Sequence, residues 1–209
     1  MVVAIRADLA QDINMEAVVF NGKELTLKYV KDFPIPKIVN DTDVIVKVEY
    51  SGICGTDVHI IQGEFPASKE RPLAMGHEFS GIITQVGKAS VFKVGQKVVV
   101  DPNSACHICD HCRSGNYHYC LTAGINSTIG IWRDGGWAEY VLCPQNNVFT
   151  LPDDITTEQE AASGRAAASL RGRASGDAAK GTAQTEAPLS TAKKPTKYGS
   201  ARCARLRLL

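Results

Sequence analysis

Up to Ala162, apolar positions fall in short runs that alternate with polar ones, the spacing of half-buried strands. Residues 16–20 and 25–29 flank Asn21-Gly22-Lys23-Glu24, a Gly-containing connection that predicts a hairpin. Residues 44–50 set Val44, Val46 and Val48 against Ile45, Lys47 and Glu49, which predicts a strand with one wholly apolar face. Further short strands are predicted over 79–86, 97–101 and 137–143, with Gly87, Gly95, Gly135 and Gly136 supplying turns between them. Strands this short and closely spaced predict a mainly β fold, a barrel or sandwich rather than a parallel α/β sheet. Only residues 156–162 read as the opening of a helix, with Asp154 or Thr156 as its N-cap.

The apolar pattern stops after Ala162, and the charge changes sign at the same point. Residues 1–162 hold 13 Lys+Arg against 20 Asp+Glu, whereas residues 163–209 hold 10 against 2, so an acidic body carries a basic tail. The tail has no Ile, Val, Phe, Trp or Met, and such a composition cannot bury enough apolar surface to offset the entropy of ordering. Three parts are therefore expected: an N-terminal extension over 1–14, a folded domain over 15–162 and a disordered tail over 163–209. No apolar run is long enough to span a membrane, and the N-terminus lacks the basic start and apolar centre of a secretory signal. The expected location is the cytoplasm.

Cysteine spacing adds chemistry to this picture. Cys106-x2-Cys109-x2-Cys112-x7-Cys120 brings four thiolates close enough along the chain to close a tetrahedral zinc site. Four sulfurs leave no open coordination position, so the site is expected to be structural. His107, His111 and His118 lie among these cysteines and are read as surface residues of the lobe. A second constellation joins Gly52-Ile53-Cys54-Gly55-Thr56-Asp57-Val58-His59 to Gly76-His77-Glu78 further on. Cys54, His77 and Glu78 supply a thiolate, an imidazole and a carboxylate, the pattern of a catalytic zinc with one position left for water or substrate.

Cys54-Gly55-Thr56-Asp57, Gly76-His77-Glu78, the four-cysteine lobe and Asp134-Gly135-Gly136-Trp137-Ala138-Glu139-Tyr140, in this order, resemble the zinc-containing medium-chain dehydrogenases, most of all the sorbitol-dehydrogenase-like branch. The resemblance covers residues 15–162. It implies a GroES-like, partly open β-barrel carrying two zinc ions, one catalytic and one structural. It implies Cys54 and His77 as ligands, with Glu78 a direct or alternating ligand or a nearby carboxylate that tunes the metal. Thr56 then matches the hydroxyl that takes the substrate proton, His59 the outer end of that relay, and Asp57 the carboxylate that fixes the ring of His77. The implied reaction passes hydride from a small alcohol or polyol to NAD or NADP. Sorbitol dehydrogenases often carry Tyr after the relay histidine, whereas Ile60 stands here. Trp132 is open to two readings, substrate-pocket wall or ordinary packing.

After Ala162 the chain departs from the family. Relatives continue into a Rossmann domain, but no Gly-x-Gly-x-x-Gly occurs in the 209 residues. The expectation is a dehydrogenase truncated after its catalytic domain, unable to bind NAD or NADP and inactive alone. A non-catalytic zinc module that pairs with full-length homologous subunits is the alternative. Nucleic-acid binding is disfavoured, because the lobe carries little positive charge and the tail has Tyr198 as its one aromatic residue.

Overall fold

The computed structural model describes residues 14–123 and 127–163. Asn14, expected in the N-terminal extension, opens the first strand, and Ser163, expected in the tail, ends the last helix; the rest of the extension and of the tail, Cys203 included, lies outside the described residues.

The predicted hairpin is formed by β1 (Asn14–Asn21) and β2 (Thr26–Pro34), antiparallel with Asn21 opposite Thr26. Asn21 Oδ1 accepts the Lys23 N–H at 3.0 Å and so shapes the turn from within. Beyond β3 (Asp43–Ser51) and a first helix α1 (Gly55–Ile61), the short β4 (Leu73–Ala74) pairs with the other edge of β1 and completes a three-stranded sheet, β2-β1-β4.

The second sheet has five strands in the order β7-β3-β5-β6-β8, all antiparallel. Its remaining members are β5 (Phe79–Val86), β6 (Lys97–Val100), β7 (Tyr140–Pro144) and β8 (Val148–Thr150). Val44, Val46, Phe79, Ile83, Val98 and Val141 form the centre of its core. The expected apolar face of Val44, Val46 and Val48 is present, but the opposite face is polar only in the second half of β3. Val44, Ile45 and Val46 are all fully buried, while Lys47 and Glu49 reach solvent. β3 is a central strand flanked by β5 and β7, and its first half is covered on both faces.

The expected strand over 137–143 begins only at Tyr140. Before that, the chain belongs to the first sheet: Trp137 N–H donates to Met75 O at 2.8 Å, and Val18 N–H donates to Trp137 O at 2.7 Å. This segment therefore crosses from one sheet to the other and joins them. Gly135 and Gly136 serve close packing more than turning, since a Cβ on Gly136 would lie 2.5 Å from the Phe79 side chain.

Among the described residues three α-helices are present where one helix was expected. Besides α1, a single turn α2 (Asp110–Arg113) sits inside the cysteine lobe, and α3 (Thr157–Ser163) corresponds to the expected one. Thr156 and Gln159 cap α3 reciprocally, Gln159 N–H to Thr156 Oγ1 at 3.2 Å and Thr156 N–H to Gln159 Oε1 at 3.0 Å, so Thr156 rather than Asp154 is the cap. α3 docks on the second sheet through Thr157, whose hydroxyl donates to Glu49 at 2.7 Å and whose carbonyl accepts from Ser80. Among the described residues no helix is long and apolar enough to cross a membrane.

Candidate metal centres

Cys54, His77 and Glu78 meet because β3 and β5 are antiparallel neighbours. Ser51 at the end of β3 lies opposite Phe79 at the start of β5, so the residues just outside both strands leave the same rim. The ladder continues one step past the strands, with Gly52 N–H donating to Glu78 O at 2.7 Å. A sulfur, a ring nitrogen and a carboxylate oxygen from the three residues lie within 4.8 Å of one another. Donors at about 2.0–2.3 Å from a common centre in tetrahedral array stand roughly 3.3–3.8 Å apart, so small side-chain adjustments suffice for one zinc.

Asp57 organises this rim from below. It is 1% exposed; its Oδ2 accepts the Cys54 N–H at 2.8 Å, and its Oδ1 stands 3.2 Å from His77 Nδ1. The second contact is within ion-pair range but not aligned as a hydrogen bond, which leaves both buried atoms without a formal partner. Burial opposes protonation of His77, yet Asp57 and Cys54 outweigh it and raise the imidazole to about 10 in the metal-free chain. Contact with His77 in turn lowers the Cys54 thiol below its ordinary value.

α1 starts immediately after Cys54, with Asp57 as the residue that ties its first turn. The sequence pattern did not reveal this helix, because its seven residues include Thr56, Val58, Ile60 and Ile61, all β-branched and poor helix formers. Thr56 is half-buried with Oγ1 3.6 Å from Cys54 Sγ. His59, one turn on, is exposed, and its Nδ1 lies 2.7 Å from Glu64 Oε2. Glu64 went unremarked in the sequence, where only its place five residues after His59 hinted at the contact. Trp132 packs beside Ile60, Met75 and Trp137 and also lines an open cavity of about 440 Å³ that includes Arg71, Asp134 and Tyr140 but none of the three candidate ligands.

The four-cysteine lobe follows β6. Ligand atoms of Cys106, Cys109, Cys112 and Cys120 all lie within 4.8 Å of one another, with Sγ–Sγ distances of 3.5 Å for Cys109–Cys112 and 3.9 Å for Cys106–Cys112. A tetrahedron of sulfurs about 2.3 Å from zinc has edges near 3.8 Å, so the donor set fits that ion. Backbone amides also point inward: Cys109 N–H donates to Cys106 Sγ and Cys106 N–H to Cys120 Sγ, each at 3.3 Å. A left-handed His107, φ 60°, bends the chain between the first two cysteines. Amide donation, led by Cys106 N–H, pulls Cys120 down to about 4, while desolvation followed by the neighbouring Cys109 pushes Cys112 up to about 12. Four crowded thiols cannot all ionise unaided, and a bound dication removes that conflict. His107, His111 and His118 are exposed. The lobe is moored to the sheet by Tyr117, whose hydroxyl donates to the buried Asp101 at 2.8 Å.

Residues 40–153 match the family described as the alcohol dehydrogenase GroES-like domain. The chain is 40% identical over 148 residues to L-threonine 3-dehydrogenase of Rhizobium etli (strain CIAT 652), covering 69% of this chain and 41% of the relative. Galactitol-1-phosphate dehydrogenase from Escherichia coli superposes with a TM-score of 0.62 at 35% identity, over 70% of this chain and 41% of that one. A cobalt- and zinc-bound thermostable alcohol dehydrogenase from Pyrobaculum aerophilum gives a TM-score of 0.64 at 28% identity, over 72% of this chain and 45% of that one. The chain thus spans less than half the length of these relatives. With more than half of its own residues inside the family match and a GroES-like fold around them, it belongs to the zinc-containing medium-chain dehydrogenases.

Proposed function

We propose that this chain is the zinc-binding, substrate-orienting half of a dehydrogenase that oxidises a small secondary alcohol or polyol with NAD or NADP. The convergence of Cys54, His77 and Glu78 on one rim carries the reading, since a thiolate, an imidazole and a carboxylate together are the donor set of a catalytic zinc. Cys54 and His77 would hold the metal, with Glu78 as direct or alternating ligand. Cys106, Cys109, Cys112 and Cys120 would hold a second, structural zinc. The relatives' names, L-threonine 3-dehydrogenase and galactitol-1-phosphate dehydrogenase, support small hydroxylated substrates. A cytoplasmic setting completes the reading, because thiol ligands stay reduced there.

Zinc at the three-residue site supplies a Lewis acid for the substrate hydroxyl. The protein's own groups provide the rest. Asp57 holds the His77 ring from behind and ties the Cys54 backbone to it, so one buried carboxylate orients both ligands. Thr56, beside Cys54, would accept the hydrogen bond of the substrate hydroxyl and, as it takes that proton, release its own hydroxyl proton outward. His59 is exposed on the outer part of α1, where it delivers that proton to solvent, with Glu64 steadying its ring. Solved relatives are bound to NADP, NADH or NAD. The 209 residues carry no phosphate-cradling glycine motif, and the polypeptide taken by itself is accordingly inactive.

Metal content tests the reading directly. The purified chain should hold two zinc ions, and Cys54→Ser should hold one with its fold unchanged by circular dichroism. A wild-type chain with a single zinc that survives Cys54→Ser would leave the dehydrogenase reading without its catalytic metal.

A further inference from the structure

Trp137 touches both of the segments that carry Cys54, His77 and Glu78. Its side chain is 3% exposed, and the indole Nε1–H donates to the Gly52 carbonyl oxygen at 3.1 Å, two residues before Cys54. The same ring lies against Gly76, the residue before His77. A Cβ built on Gly76 would stand 2.3 Å from Trp137 Cδ1 and 2.7 Å from Nε1, so the ring occupies the space a side chain would need. Gly76 has φ +87°, which a side chain would also disfavour. The backbone strengthens the tie: Trp137 N–H donates to Met75 O at 2.8 Å and Gly136 N–H to Gly76 O at 2.7 Å.

We infer that Trp137 is a further positioning residue of the Cys54–His77–Glu78 site, its indole helping to set the separation of the two ligand-bearing segments. The inference rests on that cluster being a metal site. A tetrahedral centre tolerates only a few tenths of an ångström in donor placement, and the groups behind the ligands hold them to it. A smaller ring lacking the N–H leaves the Gly52 carbonyl without its donor and opens space beside Gly76. Both changes let the Cys54 and His77 segments drift apart. The four-cysteine lobe, which follows β6, provides an internal control.

The experiment uses the whole chain, stripped of metal, given one equivalent of zinc and then titrated with cobalt(II) while visible absorption is recorded. Cys54→Ser under the same protocol reports the lobe alone. Trp137→Phe should weaken cobalt binding at the three-residue site by about 10–100-fold and alter its spectrum, with the lobe keeping its zinc. A tryptophan analogue with sulfur in place of the indole N–H, incorporated in a Trp132→Phe background, preserves ring size and should act in the same direction. That analogue decides the matter if Trp137→Phe does not fold. Unchanged affinity and spectrum in the folded variants would overturn the role of Trp137. A wild-type chain that takes up no cobalt beyond the Cys54→Ser level would overturn the metal-site reading itself, and it would do so before any Trp137 variant is made.

Discussion

Asp57 Oδ1 stands 3.2 Å from His77 Nδ1 at the rim of the barrel, both atoms buried. In the metal-free chain this pairing, with Cys54, raises His77 to about 10 against the ordinary 6.5, despite a burial effect that opposes it. A folded-state value above the unfolded one means that the stabilisation is complete below about pH 6.5 and is lost as the pH climbs through 10. The His77 contribution to the urea midpoint of the metal-free protein should therefore fall between pH 6.5 and 10, offset in part below about pH 9 by Cys54, whose lowered thiol works in the opposite sense. Asp57→Asn should flatten that dependence, and an equally steep fall in the variant would remove Asp57 as the cause.

Arg71 and Asp134 form a two-pronged ion pair, with contacts of 3.0 and 2.7 Å, but the two residues should not be equally costly to remove. Arg71 is exposed, and an exposed pair contributes about 0.2–1 kcal/mol. Asp134 Oδ1 also accepts the Ala74 N–H at 3.1 Å, and losing a partner for a buried amide costs about 1–3 kcal/mol. Urea denaturation should rank Asp134→Ala as the more destabilising. The reverse order would place the stabilisation in the ion pair.

Cys109→Ser should release the lobe's zinc and loosen the lobe while leaving the sheets intact. Hydrogen exchange should quicken over residues 106–120, where the turns depend on amide-to-sulfur contacts, and stay slow over β3 and β5. Faster exchange throughout both sheets would show that the lobe supports the whole domain.

The 209-residue polypeptide, zinc-loaded and assayed alone, should neither bind NADH saturably nor oxidise alcohols. Holding a nicotinamide against the substrate can supply about 7–11 kcal/mol of barrier reduction, and the 209 residues hold no Gly-x-Gly-x-x-Gly to cradle its pyrophosphate. L-Threonine and galactitol-1-phosphate, with NADH titrated by fluorescence, are the appropriate probes. Turnover abolished by Cys54→Ser would show that the chain is catalytically sufficient.

Trp137 shows where a reading by periodicity loses its hold. The run from Trp137 to Cys143 alternates as one strand, yet its first residues pair with Met75 and Val18 and its last with β3. Alternation reports which face is buried and says nothing about which neighbour supplies the hydrogen bonds. α1 escaped for another reason. A helix of seven residues, four of them β-branched, depends on the tie between Asp57 and the Cys54 amide and on the packing of Ile60, not on propensity.

The sequence by itself determined the mainly β character, the hairpin at Asn21, the helix opening near residue 156 and the grouping of the four cysteines. Each depends on residues close along the chain, where spacing alone limits the geometry; Cys106 to Cys120 span fifteen positions. Only the tertiary structure decided how Cys54 and His77 come to share a rim, that Glu64 meets His59 and that Trp137 bears on both Gly52 and Gly76. Those contacts join separate segments, and antiparallel pairing of β3 with β5 and the crossing of the Trp137 segment between sheets bring them together.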